Sequence, residues 1–187
     1  MSGKILKETA GRYLIEQGFI CRRMTWYRRG ELCTEVIELQ LGRASDATLN
    51  LGVSNPTIHN IIWNEPLPEF VEPAKCSVVT RIGGLIDGRD KWWKLDDPDA
   101  PASVSSDLSK YAIPFLRSVQ DPAGMRDWLI EAGVQKRKYP LPILTLAVLT
   151  SLIGDPNTAD AILDKLSEDV ESWRDKIAEV RQRLRQS

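Results

Sequence analysis

The stretch "TLNLGV" at residues 48–53 alternates Leu49, Leu51 and Val53 with Thr48, Asn50 and Gly52. Successive side chains of an extended chain point to opposite faces, so this is the period of a strand buried on one face. The apolar face needs a partner layer, which makes a sheet covered by helices the simplest architecture. Further runs of strand character lie at residues 20–28, 34–41, 76–82 and 91–95. Between them, "NEPLPEFVEPAK" contains Pro66, Pro68 and Pro73. Prolines cannot donate to a ladder, so this stretch predicts an extended surface loop.

The remaining texture is helical. In residues 4–17, Leu6, Ala10, Tyr13 and Leu14 share one helix face. Gly18 supplies a left-handed cap, with Phe19 as its apolar contact. After "DDPDAP", a stripe of Leu108, Tyr111, Ala112, Phe115 and Leu116 predicts a helix that Pro114 should kink or end. Asp121-Pro122 is a cap and first-turn pair. The helix it starts carries Met125, Trp128 and Leu129 and closes at Gly133. An apolar helix near 142–153 ends at Gly154, and a last helix is expected from 156 to 185. Its Leu166, Val170, Trp173, Ile177, Val180 and Leu184 repeat like a heptad seam, read here as packing on the protein's own sheet or helices. The expected fold class is α+β: an N-terminal helix, an antiparallel meander of four or five strands, then a helical half covering one sheet face. A chain of 187 residues can bury one sizeable core. One domain, 1–187, is therefore expected, with a sheet-rich part at 1–98 and a helical part at 99–187.

The stretch "CRRMTWYRRGELCTEVIELQLG" sets four arginines around Trp26-Tyr27. It reads either as a nucleic-acid grip or as a hairpin. A two-residue turn at Arg29-Gly30 makes Arg28 face Glu31, Trp26 face Cys33, Met24 face Glu35, Arg22 face Ile37 and Ile20 face Leu39. Trp26 then enters the core with Cys33, Ile37 and Leu39. Tyr27 and Val36 take the other face. The two rings point apart and cannot form one stacking platform. Glu35 becomes the diagonal partner of Arg22, and Glu38 that of Arg23.

The residues "GFICRRMTWYRRGEL", "VIELQLG", "TLNLGV" and "RIGGLIDGRDKWWKL" together resemble a bacterial domain-of-unknown-function family, number 4304. Its pattern reads Gly-Phe, Thr-Phe/Trp-Tyr-Arg, Val-Ile-x-x-Gln and Val-Asn-Leu-Gly-Val, then Arg-Ile/Leu-Gly and Trp-Trp-x-Leu. The likeness covers about residues 4–120. It implies bacterial or phage origin, an α+β fold and an association with immunity or defence neighbourhoods. It brings no catalytic residues with it.

Charge and cysteine usage narrow the partners. The formal net charge is −1, so no global field draws the chain to polyanions or membranes. The first thirty residues nevertheless carry Lys4, Lys7, Arg12, Arg22, Arg23, Arg28 and Arg29 against Glu8 and Glu16. Cys21, Cys33 and Cys76 form no CxxC pair, which argues against a disulfide framework and a zinc site. The N-terminus lacks a secretory signal pattern, and "LPILTLAVLTSLIG" is too short to span a bilayer. A cytoplasmic location with no membrane partner is expected.

Residues 83–90 have the glycine spacing of a phosphate loop. Arg89 replaces its lysine, however, and Asp90 stands where a hydroxyl should hold magnesium. A Gly-rich turn between two strands is the expectation. Asp87, Asp90, Asp96, Asp97 and Asp99 lack the closing glutamate of a calcium loop and read as a solvated turn. The lone histidine, His59, sits in "NPTIHNIIW", read as a loop entering an apolar run, with no signature pairing it to a cysteine. Trp92 and Trp93 are strand neighbours, so one enters the core and the other offers a binding anchor. The expected function is a non-enzymatic protein-binding module without cofactor or metal. Its candidate binding residues are Trp92, Trp93, Tyr27 and Arg23. A nucleic-acid binder using the basic N-terminal region is the alternative, and a small-ligand or enzymatic domain the second.

Overall fold

A computed structural model describes residues 3–136 and 139–186. The chain opens with α1 (Gly3–Glu16), whose Leu6, Ala10 and Leu14 are buried. Gly18 takes φ 85°, and Phe19 N–H donates to Leu14 O at 3.0 Å, closing the helix as its sequence predicts. Next come β1 (Ile20–Arg22), β2 (Thr25–Arg29), β3 (Thr34–Leu41) and β4 (Asp46–Ser54). After them, α2 (Pro56–Trp63) and a 3-10 turn (Pro73–Lys75) lead to β5 (Val78–Arg81). Then α3 (Ile82–Ile86) precedes β6 (Trp93–Lys94). The described strands form an antiparallel sheet in the order β1-β2-β3-β4-β5, with β6 pairing the start of β4. The α+β class and the antiparallel meander are therefore as the sequence predicts. The strand number is six because residues 20–28 make two strands, not one.

That split corrects the hairpin register. Arg23 adopts φ 60°, and the chain reverses there, pairing Arg22 with Thr25 and Cys21 with Trp26. The loop between β2 and β3 is longer than the two-residue turn expected: Arg29 pairs with Thr34, and Trp26 with Ile37. The predicted register is off by four residues. An even slip preserves sheet faces. Trp26, Cys33, Ile37 and Leu39 thus lie in the main core, and Tyr27 and Val36 on the opposite side, as expected. Ile20, Cys21 and Arg22, which lie before the unforeseen turn, change faces.

The predicted ion pairs do not form. Glu35 instead pairs with Arg28 and accepts from Gln120 Nε2 at 2.8 Å. Glu38 accepts from Asn50 Nδ2 at 2.8 Å, and Arg22 lies over the Phe70 ring at 4.2 Å.

One sheet face carries Trp26, Ile37, Leu39, Leu49, Leu51, Val53 and Val78 in a continuous core with residues of α1, α2 and the C-terminal helices. Those helices are α4 (Ala100–Asp107), α5 (Ile113–Ser118), α6 (Pro122–Glu131), α7 (Pro140–Leu152), α8 (Pro156–Asp169) and α9 (Arg174–Leu184). Pro114 does not end its helix but sits in the first turn of α5. A π-helical turn, Leu108–Ala112, joins α4 to α5. The wider turn makes room where the proline ring would crowd a carbonyl one turn back. The last predicted helix is two, broken at Val170 (φ −135°, ψ 84°). The seam residues still pack inward, with Leu166, Ile177 and Val180 in the core.

The other face is covered differently. The proline-rich segment is not merely a surface loop: its Val71 is buried against Tyr27, Val36 and Cys76. The Phe70 and Tyr27 rings meet edge to face, with centroids 5.1 Å apart. Gly52 permits this approach, since a Cβ there would lie 2.7 Å from Cys76 Sγ. Beside this patch runs a half-exposed polar row. Thr25, Glu38, Asn50 and Arg81 line up across four strands in successive register.

Candidate functional site

The sheet path ends on β5, and β5 faces a cleft instead of a further strand. Val79, Thr80 and Arg81 form one wall; Trp128, Glu131 and Ala132 of α6 form the other. Gly84, Leu85 and Arg89 close one end. The cleft volume is about 510 Å3. A smaller cavity of about 110 Å3 adjoins it, sharing Val79 and Trp128 and ending near Tyr139 and Leu141. Val79 is 36% exposed, a β-branched apolar side chain on an unpaired edge.

Local sequence holds both walls. On the strand side, a Cβ on Gly83 would meet Arg89 O at 2.0 Å and Lys91 N at 2.4 Å. Only glycine lets the returning chain cross so closely. Arg81 then pairs with Asp90 at 2.7 Å and lies over the Trp92 ring at 5.5 Å. On the helix side, Asp121 caps α6 by accepting from Gly124 N–H at 2.9 Å. A Cβ on Gly124 would lie 2.2 Å from Ser118 O, so α6 sits hard against the end of α5. Trp128 is fixed by Phe115, ring centroids 5.4 Å apart.

The sequence-predicted residues scatter around this feature. Trp93 is buried, and its indole N–H donates to Ser103 Oγ at 3.0 Å. Trp92 remains half-exposed beside Arg81, the arrangement expected of strand neighbours. Tyr27 is buried under Phe70, where desolvation raises its phenol pKa. Arg23 is exposed at the β1–β2 turn, remote in register from β5. The glycine-rich turn contains the short helix α3. His59 lies not in a loop but on α2, which Asn55 caps by accepting from Ile58 N–H at 3.1 Å. Asn55-Pro56 is the same cap-and-proline signal as Asp121-Pro122, and it could have been read from sequence.

The arrangement bears on the other chemistries. His59 is buried, with neither ring nitrogen hydrogen-bonded; Glu65 Oε1 lies 3.6 Å away, too far. Desolvation lowers its pKa, with Glu65 acting in the opposite sense and Lys75 in the same one. Cys33, Glu35, Arg28 and Gln120 line a separate cavity of about 290 Å3 at the hairpin tip. Burial, then Glu35, pushes the Cys33 thiol up to about 11, while both Glu35 oxygens already accept hydrogen bonds. Such a thiol is a poor nucleophile. Burial also raises Cys76. Among the described residues, no three His, Cys, Asp or Glu side chains lie together as metal ligands. No described helix is long and apolar enough to cross a membrane.

The molecule thus has an α+β fold with an open cleft at one sheet edge. The sequence profile of "Domain of unknown function (DUF4304)" matches residues 10–118, and the chain belongs to that family. The match takes in the sheet and both halves of the proline-bearing helix, and stops before α6. No curated protein and no solved structure matches the chain.

Proposed function

We propose that this chain is a non-enzymatic protein-binding module of the bacterial or phage cytoplasm, placed in an immunity or defence setting. It takes an extended segment of another protein along β5. The observation that carries this reading is the unpaired β5 edge facing a walled cleft. An edge strand offers main-chain donors and acceptors to an added strand, and side-chain pockets beside it supply selectivity. Val79 and Trp128 supply apolar surface on the two walls. Trp92, half-exposed against Arg81, extends the contact surface with an aromatic anchor. The nucleic-acid alternative is weakened because Trp26 and Tyr27 are buried and Arg28 and Arg29 have acidic neighbours in Glu35 and Glu69.

Selection of displayed peptides on the purified protein tests the reading, followed by amide hydrogen exchange with the enriched peptide. The expected result is slowed exchange at residues 78–81 and loss of binding in Val79→Lys and Trp92→Ala. Enriched peptides that protect other segments would reject the β5 site. Oligonucleotide binding that falls steeply with salt, with β5 unprotected, would select the nucleic-acid reading instead.

A further inference from the structure

The opposite edge of the sheet carries a second feature. A trough of about 510 Å3 runs between α1 and β1. Its helical wall includes Lys4, Gly11 and Ile15, and Trp26 lies at its floor. From Lys4 to Ile15 the wall is about 16 Å long at the helical rise, or about three turns. Gly11 sits within α1, where alanine would favour the helix more. The missing side chain opens the trough: an added Cβ would lie 3.5 Å from the Trp26 indole nitrogen, which has no hydrogen-bond partner. Ile15 is 61% exposed beside it.

The rim is cationic. Lys4 pairs loosely with Glu8 at 3.8 Å. Lys7 and Arg12 also line the trough, and no ion pair engages either among the described residues. The basic excess of the first thirty residues is therefore partitioned. Arg28 serves Glu35 and the end of α1 through Gln17 O, and Arg22 lies on Phe70. Lys7 and Arg12 are left at an apolar surface.

We propose that this trough docks an acidic amphipathic helix of a partner protein. An open trough would leave a small molecule largely in water, whereas small-molecule sites bury most of their ligand. β1 is too short to template a long added strand. A helix matches the length of the wall, places apolar side chains at three- and four-residue spacing over Gly11 and Ile15, and sets carboxylates against Lys7 and Arg12. The site is independent of β5, at the other end of the sheet order.

The probe is a fluorescein-labelled helical peptide of about 20 residues, with leucines on one face and glutamates flanking them. Its twin has lysine in place of every glutamate. Anisotropy at low salt should show binding of the acidic peptide only. The Lys7→Glu/Arg12→Glu double variant should weaken it at least about tenfold, because the charges at the rim become repulsive. Gly11→Ala should also weaken it while leaving the melting temperature unchanged or higher, since it fills the trough and favours the helix. Val79→Lys should not affect it. Equal binding of both peptides, or an unchanged affinity in both α1 variants, would overturn the proposal. So would displacement of the acidic peptide by a single-stranded oligonucleotide, or a concentration-dependent dimer that the charge reversal abolishes.

Discussion

The two faces of this sheet are built from the same strands yet are covered in opposite ways. The inner face packs Trp26, Ile37, Leu49 and Leu51 beneath helices, in a cluster that reaches from Leu6 to Val180. The outer face holds, among the described residues, a small core of Tyr27, Val36, Val71 and Cys76 covered by a proline-rich segment, beside a polar row of Thr25, Glu38, Asn50 and Arg81. Helices bring whole apolar stripes to a sheet, whereas an irregular segment brings single side chains and main chain needing its own partners. The contrast teaches where stability and recognition reside. The helix-covered face holds the fold, and the two proposed docking sites lie at the sheet's edges.

Trp26→Ala tests the inner face and should have the largest effect. It should cost roughly 3–5 kcal/mol, as for other large aromatics removed from a core. Urea denaturation would measure it; a loss below about 1 kcal/mol would show that this face is not the main source of stability. Gly52→Ala tests the outer face. Its Cβ would crowd Cys76 Sγ at 2.7 Å, and overpacking should cost about 1–3 kcal/mol. Pairing it with Cys76→Ser should recover part of that loss, because the smaller oxygen relieves the contact. Arg22→Ala removes the guanidinium over Phe70 and should cost about 1 kcal/mol or less at this exposed site.

The last effect is silent at neutral pH. His59 lies among the apolar residues of α2, where desolvation lowers its pKa. Below its ordinary pKa near 6.5 the unfolded chain binds the proton more readily than the folded one. Stability is therefore fully present above that pH and falls as pH drops toward the lowered folded value. A His59→Leu variant should show a flatter stability profile below about pH 6.5 than the parent. Identical profiles would mean that this residue is not the source.

The alternation of Leu49, Leu51 and Val53, the capped end of α1 at Gly18 and the Asp121-Pro122 start of α6 were all legible, because each is a local rule acting over a few residues. The faces of Trp26 and Tyr27 were legible too, since parity survives an even error in register. The register itself was not. A positive φ at Arg23, with no glycine there to announce it, splits one expected strand into two, and a β2–β3 loop longer than two residues moves Arg28 from Glu31 to Glu35. The cleft at β5 and the trough at α1 lie further out of reach. Each joins segments distant in sequence: Val79 with Trp128, and Gly11 with Trp26. Periodicity determined which side chains had to be buried. Only the tertiary packing decided which edges stayed uncovered, because an edge is open or closed according to where distant helices come to rest.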